Sequence, residues 1–176
     1  EASDLSFSEE AKFLRSEQVA ECLYDVGVIS ASRYLQKLDS DTNARFDQLV
    51  QQREESFCCF EEVISIRQER IAAYEKMPGH VGTEGTGQAE EQTVIAYSLY
   101  EVGHMLSCTF FALQQRDDID SDVVSRDISQ SLAAFADAKK MFEEIPRPMH
   151  TAGNNTLEFI IDPTLARARQ IPVIFE

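Results

Sequence analysis

The sequence predicts an all-α protein: an antiparallel bundle of about four long helices, with a short irregular or extended C-terminal tail. Three observations carry that expectation. Four stretches repeat apolar residues at alternating steps of three and four, the spacing that gathers side chains on one side of a helix. Clusters of Asp, Ser, Gly and Pro separate them, and these residues cap or stop helices. The 176 residues are 43% hydrophobic and 27% charged, enough for one well-buried core and unlike a disordered chain. Residues 1–150 are expected to form the helical bundle domain. Residues 151–176 read as an extension that packs on the bundle or continues into a further region.

The first helix is expected to start near Ser6, because Ser6-Phe7-Ser8-Glu9 has capping-box spacing. Val19, Cys22, Val26 and Ile29 then share one stripe, and Leu35 and Leu38 extend an apolar surface. Asp39-Ser40-Asp41-Thr42 ends this helix and caps the next. The second helix, about Asp41 to Met77, has the clearest pattern. Phe46, Arg53, Phe60, Arg67 and Tyr74 recur every seven residues, with Val50, Phe57, Ile64 and Ile71 in a second row. At 1.5 Å per residue it would reach ~50 Å. Pro78-Gly79 stops it.

Gly79 to Gly87 carries four glycines but no Lys or Arg, and it follows a helix. It therefore reads as a connector rather than a phosphate-binding loop. The third helix, Gln88 to Arg116, is apolar on more than one face. Ile95, Leu99, Val102, Leu106 and Leu113 form one stripe; Val94, Tyr97, Cys108 and Phe111 form another beside Glu101 and His104. Such a helix is expected to be central. Asp117, Asp118, Asp120 and Asp122 suit the positive start of a fourth helix. Its stripe runs Val124, Ile128, Leu132, Phe135, Ala138, Phe142 and Ile145, and Pro146-Arg147-Pro148 ends it. Beyond it, Leu157–Ile161 and Ile171–Phe175 read as extended, with a brief helix from Asp162-Pro163 through Arg169. No repeat of 20 to 50 residues is evident.

Composition narrows the function. Trp is absent and Phe, with 11 copies, is the main aromatic. The formal net charge is −15, from 31 acidic and 16 basic side chains. That argues against nucleic acid or anionic lipid as partners and permits a basic protein partner. Cys22, Cys58, Cys59 and Cys108 form no CxxC or Cys/His zinc pattern. They read as free thiols in a reducing compartment, hence a cytoplasmic protein; a disulfide from Cys22 to Cys58 or Cys108 is the alternative. No apolar run approaches membrane-spanning length. The chain begins at Glu1 rather than Met, as a trimmed or processed form would. Asn154-Asn155-Thr156 fits a glycosylation sequon.

Chemistry is thinly represented. Glu101 and His104 stand at i and i+3, the pair with which helical di-metal bundles hold metal, but such bundles need the pair twice. The other histidines, His80 and His150, lie beside Gly and Pro in expected loops. The simpler reading of His104 is a buried imidazole bonded to a neighbouring carboxylate. Acidic neighbours Glu61 and Glu62 disfavour a reactive Cys59 thiolate. No cofactor or catalytic residue is expected. Arg53 and Arg67 interrupt the apolar seam of the second helix, so each either snorkels or pairs with a carboxylate. Glu21, Asp25 and Glu101 are the candidate partners. The expected function is a non-enzymatic protein-interaction module, such as an inhibitor, immunity protein or adaptor for a basic partner. The alternatives are a ligand- or signal-sensing bundle, including a homodimer along the second helix, and then a metal-carboxylate enzyme.

Overall fold

The computed structural model describes residues 2–40, 46–74, 84–113 and 121–145. They form four helices and, among the described residues, no strand: α1 (Ala2–Ser40), α2 (Phe46–Tyr74), α3 (Glu84–Leu113) and α4 (Ser121–Glu144). The protein is an all-α antiparallel bundle. The contacts run in opposite senses along α1 and α2 and along α3 and α4. Phe13 meets Tyr74 edge-on while Ser56 bonds to Gly27. Tyr97 meets Phe142 while Ser131 bonds to Gly103. α1 pairs mainly with α2 and α3 mainly with α4; α3 also packs on α2 and on α1, whereas α4 barely approaches α1 or α2. α3 is thus central, as its wide apolar surface requires. Residues 151–176, with the sequon and the expected extended segments, lie outside the described residues.

Four sequence expectations need correction. α1 begins at Ala2 rather than at a cap on Ser6. α3 begins at Glu84, so Gly85 and Gly87 of the expected connector are helical. Gly87 has a packing reason: a Cβ there would stand 3.0 Å from the Tyr74 ring. The Val19, Cys22, Val26, Ile29 stripe of α1 faces solvent, with Val19 44%, Val26 50% and Ile29 51% exposed. α1 instead buries Ala20, Gly27, Ala31 and Tyr34. These small residues let α2 approach closely; a Cβ on Gly27 would lie 3.0 Å from the Phe60 ring. Finally, the second row of the α2 seam is Leu49, Ser56, Val63 and Arg70, all buried, while Val50, Phe57, Ile64 and Ile71 flank it half-buried. α1 and α3 cover this seam within one chain.

The α4 stripe matches expectation. Ile128, Phe135, Ala138, Phe142 and Ile145 are buried and Leu132 packs beside them. Phe135 presses against Gly103, where a Cβ would stand 3.0 Å from the ring. The middle of the bundle is therefore apolar and tight, and its charged side chains gather toward the two ends.

Candidate functional site

Two buried polar layers cross the interior. At one end Glu91 of α3 receives two arginines of α2. Arg67 donates from Nη1 to Oε2 at 2.8 Å, and Arg70 donates from Nε to Oε1 at 2.7 Å. Arg70 also meets Glu17 at 3.2 Å, the Phe13 carbonyl and the Ser16 hydroxyl, and lies 3.9 Å over the Phe13 ring. At the other end Arg53 of α2 donates to Asp127 of α4 at 2.6 Å, both side chains being buried. Beside them the Tyr34 hydroxyl of α1 lies 2.5 Å from the Thr109 hydroxyl of α3. Burial pushes the Tyr34 phenol upward, while the Thr109 bond and the nearby Arg53 pull it down.

Arg53 and Arg67 thus meet Asp127 and Glu91, not Glu21, Asp25 or Glu101. Charge balance alone could not select those partners, because either helix offers many acids. Arg70, the best-connected arginine, escaped the sequence reading because the wrong second row was assigned to the seam. Its seven-residue spacing from Val63 was the available signal.

Glu101 and His104 lie half-buried on the side of α3 between α1 and α4. Burial raises the Glu101 carboxyl and lowers the His104 imidazole. His104 stacks on Tyr100 at 5.8 Å. Tyr24 is pushed up to about 12, first by burial and then by Glu101, Tyr97 and Asp25. Among the described residues no three His, Cys, Asp or Glu side chains converge as a metal site. Burial, with Cys58 and Glu55 adding to it, raises the Cys59 thiol, and burial raises Cys108, so neither of these two is an activated thiolate. All four cysteines are free, with Cys22 and Cys58 exposed, so the disulfide alternative is not realised.

The most unusual surface is the outer face of α1. Arg15, Gln18, Val19, Cys22, Leu23 and Val26 line a shallow groove of about 340 Å³. Ile29 continues the row, and Arg15 and Arg33 stand in line at its two ends by helical spacing. Exposed Glu21 and Asp25 lie along one flank. Isolated exposed apolar residues are ordinary, but a row at heptad spacing is a helix-docking pattern. Among the described residues no helix is long and apolar enough to cross a membrane. Comparison with known proteins finds no matching family model, no matching curated protein and no matching solved structure.

Proposed function

We propose that the chain is a non-enzymatic protein-interaction module whose working surface is the outer face of α1. One observation carries this reading: Val19, Cys22, Val26 and Ile29 form an apolar heptad row turned to solvent. Such a row fits the apolar edge of a partner's amphipathic helix. The net charge of −15 and the flanking Glu21 and Asp25 favour a partner helix with basic residues along one side. Self-docking of two such faces is disfavoured, since Arg15 and Arg33 would meet each other or themselves in either in-register orientation. An inhibitor, immunity protein or adaptor role, in a reducing compartment such as the cytoplasm, agrees with these features and with the free thiols.

A three-heptad helical peptide with Leu at its a and d positions and Lys along one flank tests the reading by fluorescence anisotropy. It should bind the protein, more weakly as salt rises, and a Glu-flanked peptide should bind at least about tenfold more weakly. Val26→Glu, at an exposed position, should abolish binding without changing the helical circular dichroism. Equal binding by the variant would refute the assignment.

A further inference from the structure

The two hairpins of the bundle share a residue pattern at their tightest contacts. Ala20, Leu23, Tyr24, Asp25, Val26 and Gly27 of α1 match Ala96, Leu99, Tyr100, Glu101, Val102 and Gly103 of α3 at a constant offset. Ser56 and Phe60 of α2 match Ser131 and Phe135 of α4. The geometry repeats with the residues. Ser56 donates to the Gly27 carbonyl at 2.8 Å, and Ser131 donates to the Gly103 carbonyl at 2.8 Å. In both hairpins a phenylalanine ring sits 3.0 Å from where the glycine would carry a Cβ. The repeat is longer than 50 residues, because each unit is a pair of long helices.

The hairpins are stacked in tandem rather than closed on each other. α3 packs on both helices of the first hairpin, whereas α4, the counterpart of α2, barely approaches α1. The face that α3 uses for this stacking has a counterpart on α1. Ile95, Ser98 and Met105 are 1%, 0% and 0% exposed, and Met105 and Val102 pack with Phe60 and Tyr34 of the first hairpin. Their counterparts on α1 are Val19, Cys22, Ile29 and Val26, the solvent-facing row. Glu91, which receives Arg67 and Arg70, corresponds to Arg15.

We infer that the outer face of α1 is a stacking seat for a further helical hairpin of this same kind, one that carries carboxylates where α2 carries Arg67 and Arg70. The inference rests on the proposed interaction face and names its occupant. The argument is continuity with the interface between the two hairpins: the same positions that α3 buries are apolar and uncovered on α1. Tandem helical units bury a face only against a neighbour, and the outer face of α1 is apolar where the free end of such a stack is polar. The reversal from Glu91 to Arg15 sets the charge of the occupant, because a guanidinium docked against two others would be unpaired and buried.

The test adds one hairpin by the protein's own rules. A copy of residues 2–83 is joined to the chain at Ser8, the position equivalent to Glu84, and the added copy carries Arg67→Glu and Arg70→Glu. In a second arm the added copy keeps both arginines and the seat carries Arg15→Glu, which recreates the Glu91 arrangement. With the other cysteines changed to Ser, alkylation of Cys22 is timed in both arms and in the parent chain. Cys22 then occupies the place of fully buried Ser98, so its rate should fall at least about tenfold in both arms. Val26→Glu in the seat should restore the parent rate. Parent-like reactivity of Cys22 in both arms overturns the inference; if the basic peptide still binds, helix docking survives without the hairpin. Sedimentation showing that the parent self-associates with Cys22 protected assigns the face to a second copy and also overturns it.

Discussion

Arg53→Met removes a guanidinium whose side chain is 5% exposed and leaves Asp127, 1% exposed, without a cation. Met keeps most of the volume, so the loss is electrostatic rather than a cavity. An uncompensated buried carboxylate costs on the order of 3–5 kcal/mol, a large share of the ~5–15 kcal/mol that holds a domain of this size. The pair itself is imperfect: among the described residues Arg53 Nε and Asp127 Oδ1 have no hydrogen-bond partner. Removing both charges with Arg53→Met and Asp127→Leu should therefore recover most of the loss. The other layer sets the contrast. Arg67→Met leaves Glu91 still bonded to Arg70, so only one charged hydrogen bond is lost, about 1.5–3 kcal/mol. Glu91→Leu strands buried Arg67, while Arg70 keeps Glu17 and the Phe13 carbonyl, so it should cost more than Arg67→Met. Urea melts followed by circular dichroism, with the slope checked for constancy, measure all four variants. Arg53→Met within ~1 kcal/mol of the parent, or as cheap as Arg67→Met, would refute the reasoning that unpaired charge sets the cost.

Three further outcomes are expected. Burial lowers the folded-state pKa of His104 below its ordinary 6.5, so its contribution to stability is present above that value and lost as pH falls through the lowered one; His104→Gln should flatten the decline of stability below pH 6.5 in urea melts at stepped pH. Iodoacetamide should modify exposed Cys22 and Cys58 well before half-buried Cys59 and Cys108, whose thiols burial raises, and peptide mapping reads the order. Gly103→Ala gains helix propensity of about 1 kcal/mol but drives a methyl into the buried Phe135 ring at a cost of ~1–3 kcal/mol, so the melt should show a net loss of up to ~2 kcal/mol, and a gain would show that the ring can shift.

The fold class was readable because helical spacing and helix-stopping residues survive any detail of packing. α4 was read almost residue by residue, since its buried row is also its most apolar row. α1 misled for the opposite reason. It carries two rows at the same spacing, and the more apolar one, Val19 to Ile29, points outward while Ala20, Gly27 and Ala31 face the core. Close approach selects small residues that a hydrophobicity reading discounts. In α2 the same bias favoured Val50 and Phe57 over Ser56 and Arg70, although Ser56 is needed for the Gly27 contact. The ion pairs were half legible. A charge inside an apolar seam announces that it needs a partner, but only the tertiary arrangement, which brings Glu91 of α3 and Asp127 of α4 within reach of the α2 arginines, decides which acids they are.

The shared glycine–serine–phenylalanine lock has a consequence for how the chain finds its native pairing. The seat on α1 that accepts Ser56 and Phe60 is built like the seat on α3 that accepts Ser131 and Phe135, so a newly collapsed chain can join α1 to α4 with locally satisfactory contacts. Such crossed arrangements are characteristic traps of proteins with repeated units. Two features select against them here. Short connectors favour each helix's sequential neighbour, and only the native stack lets Glu91 meet Arg67 and Arg70 while Asp127 meets Arg53. The buried charges therefore add a distinction between two halves that share the same glycine–serine–phenylalanine contact, disfavouring pairings that this contact alone would accept.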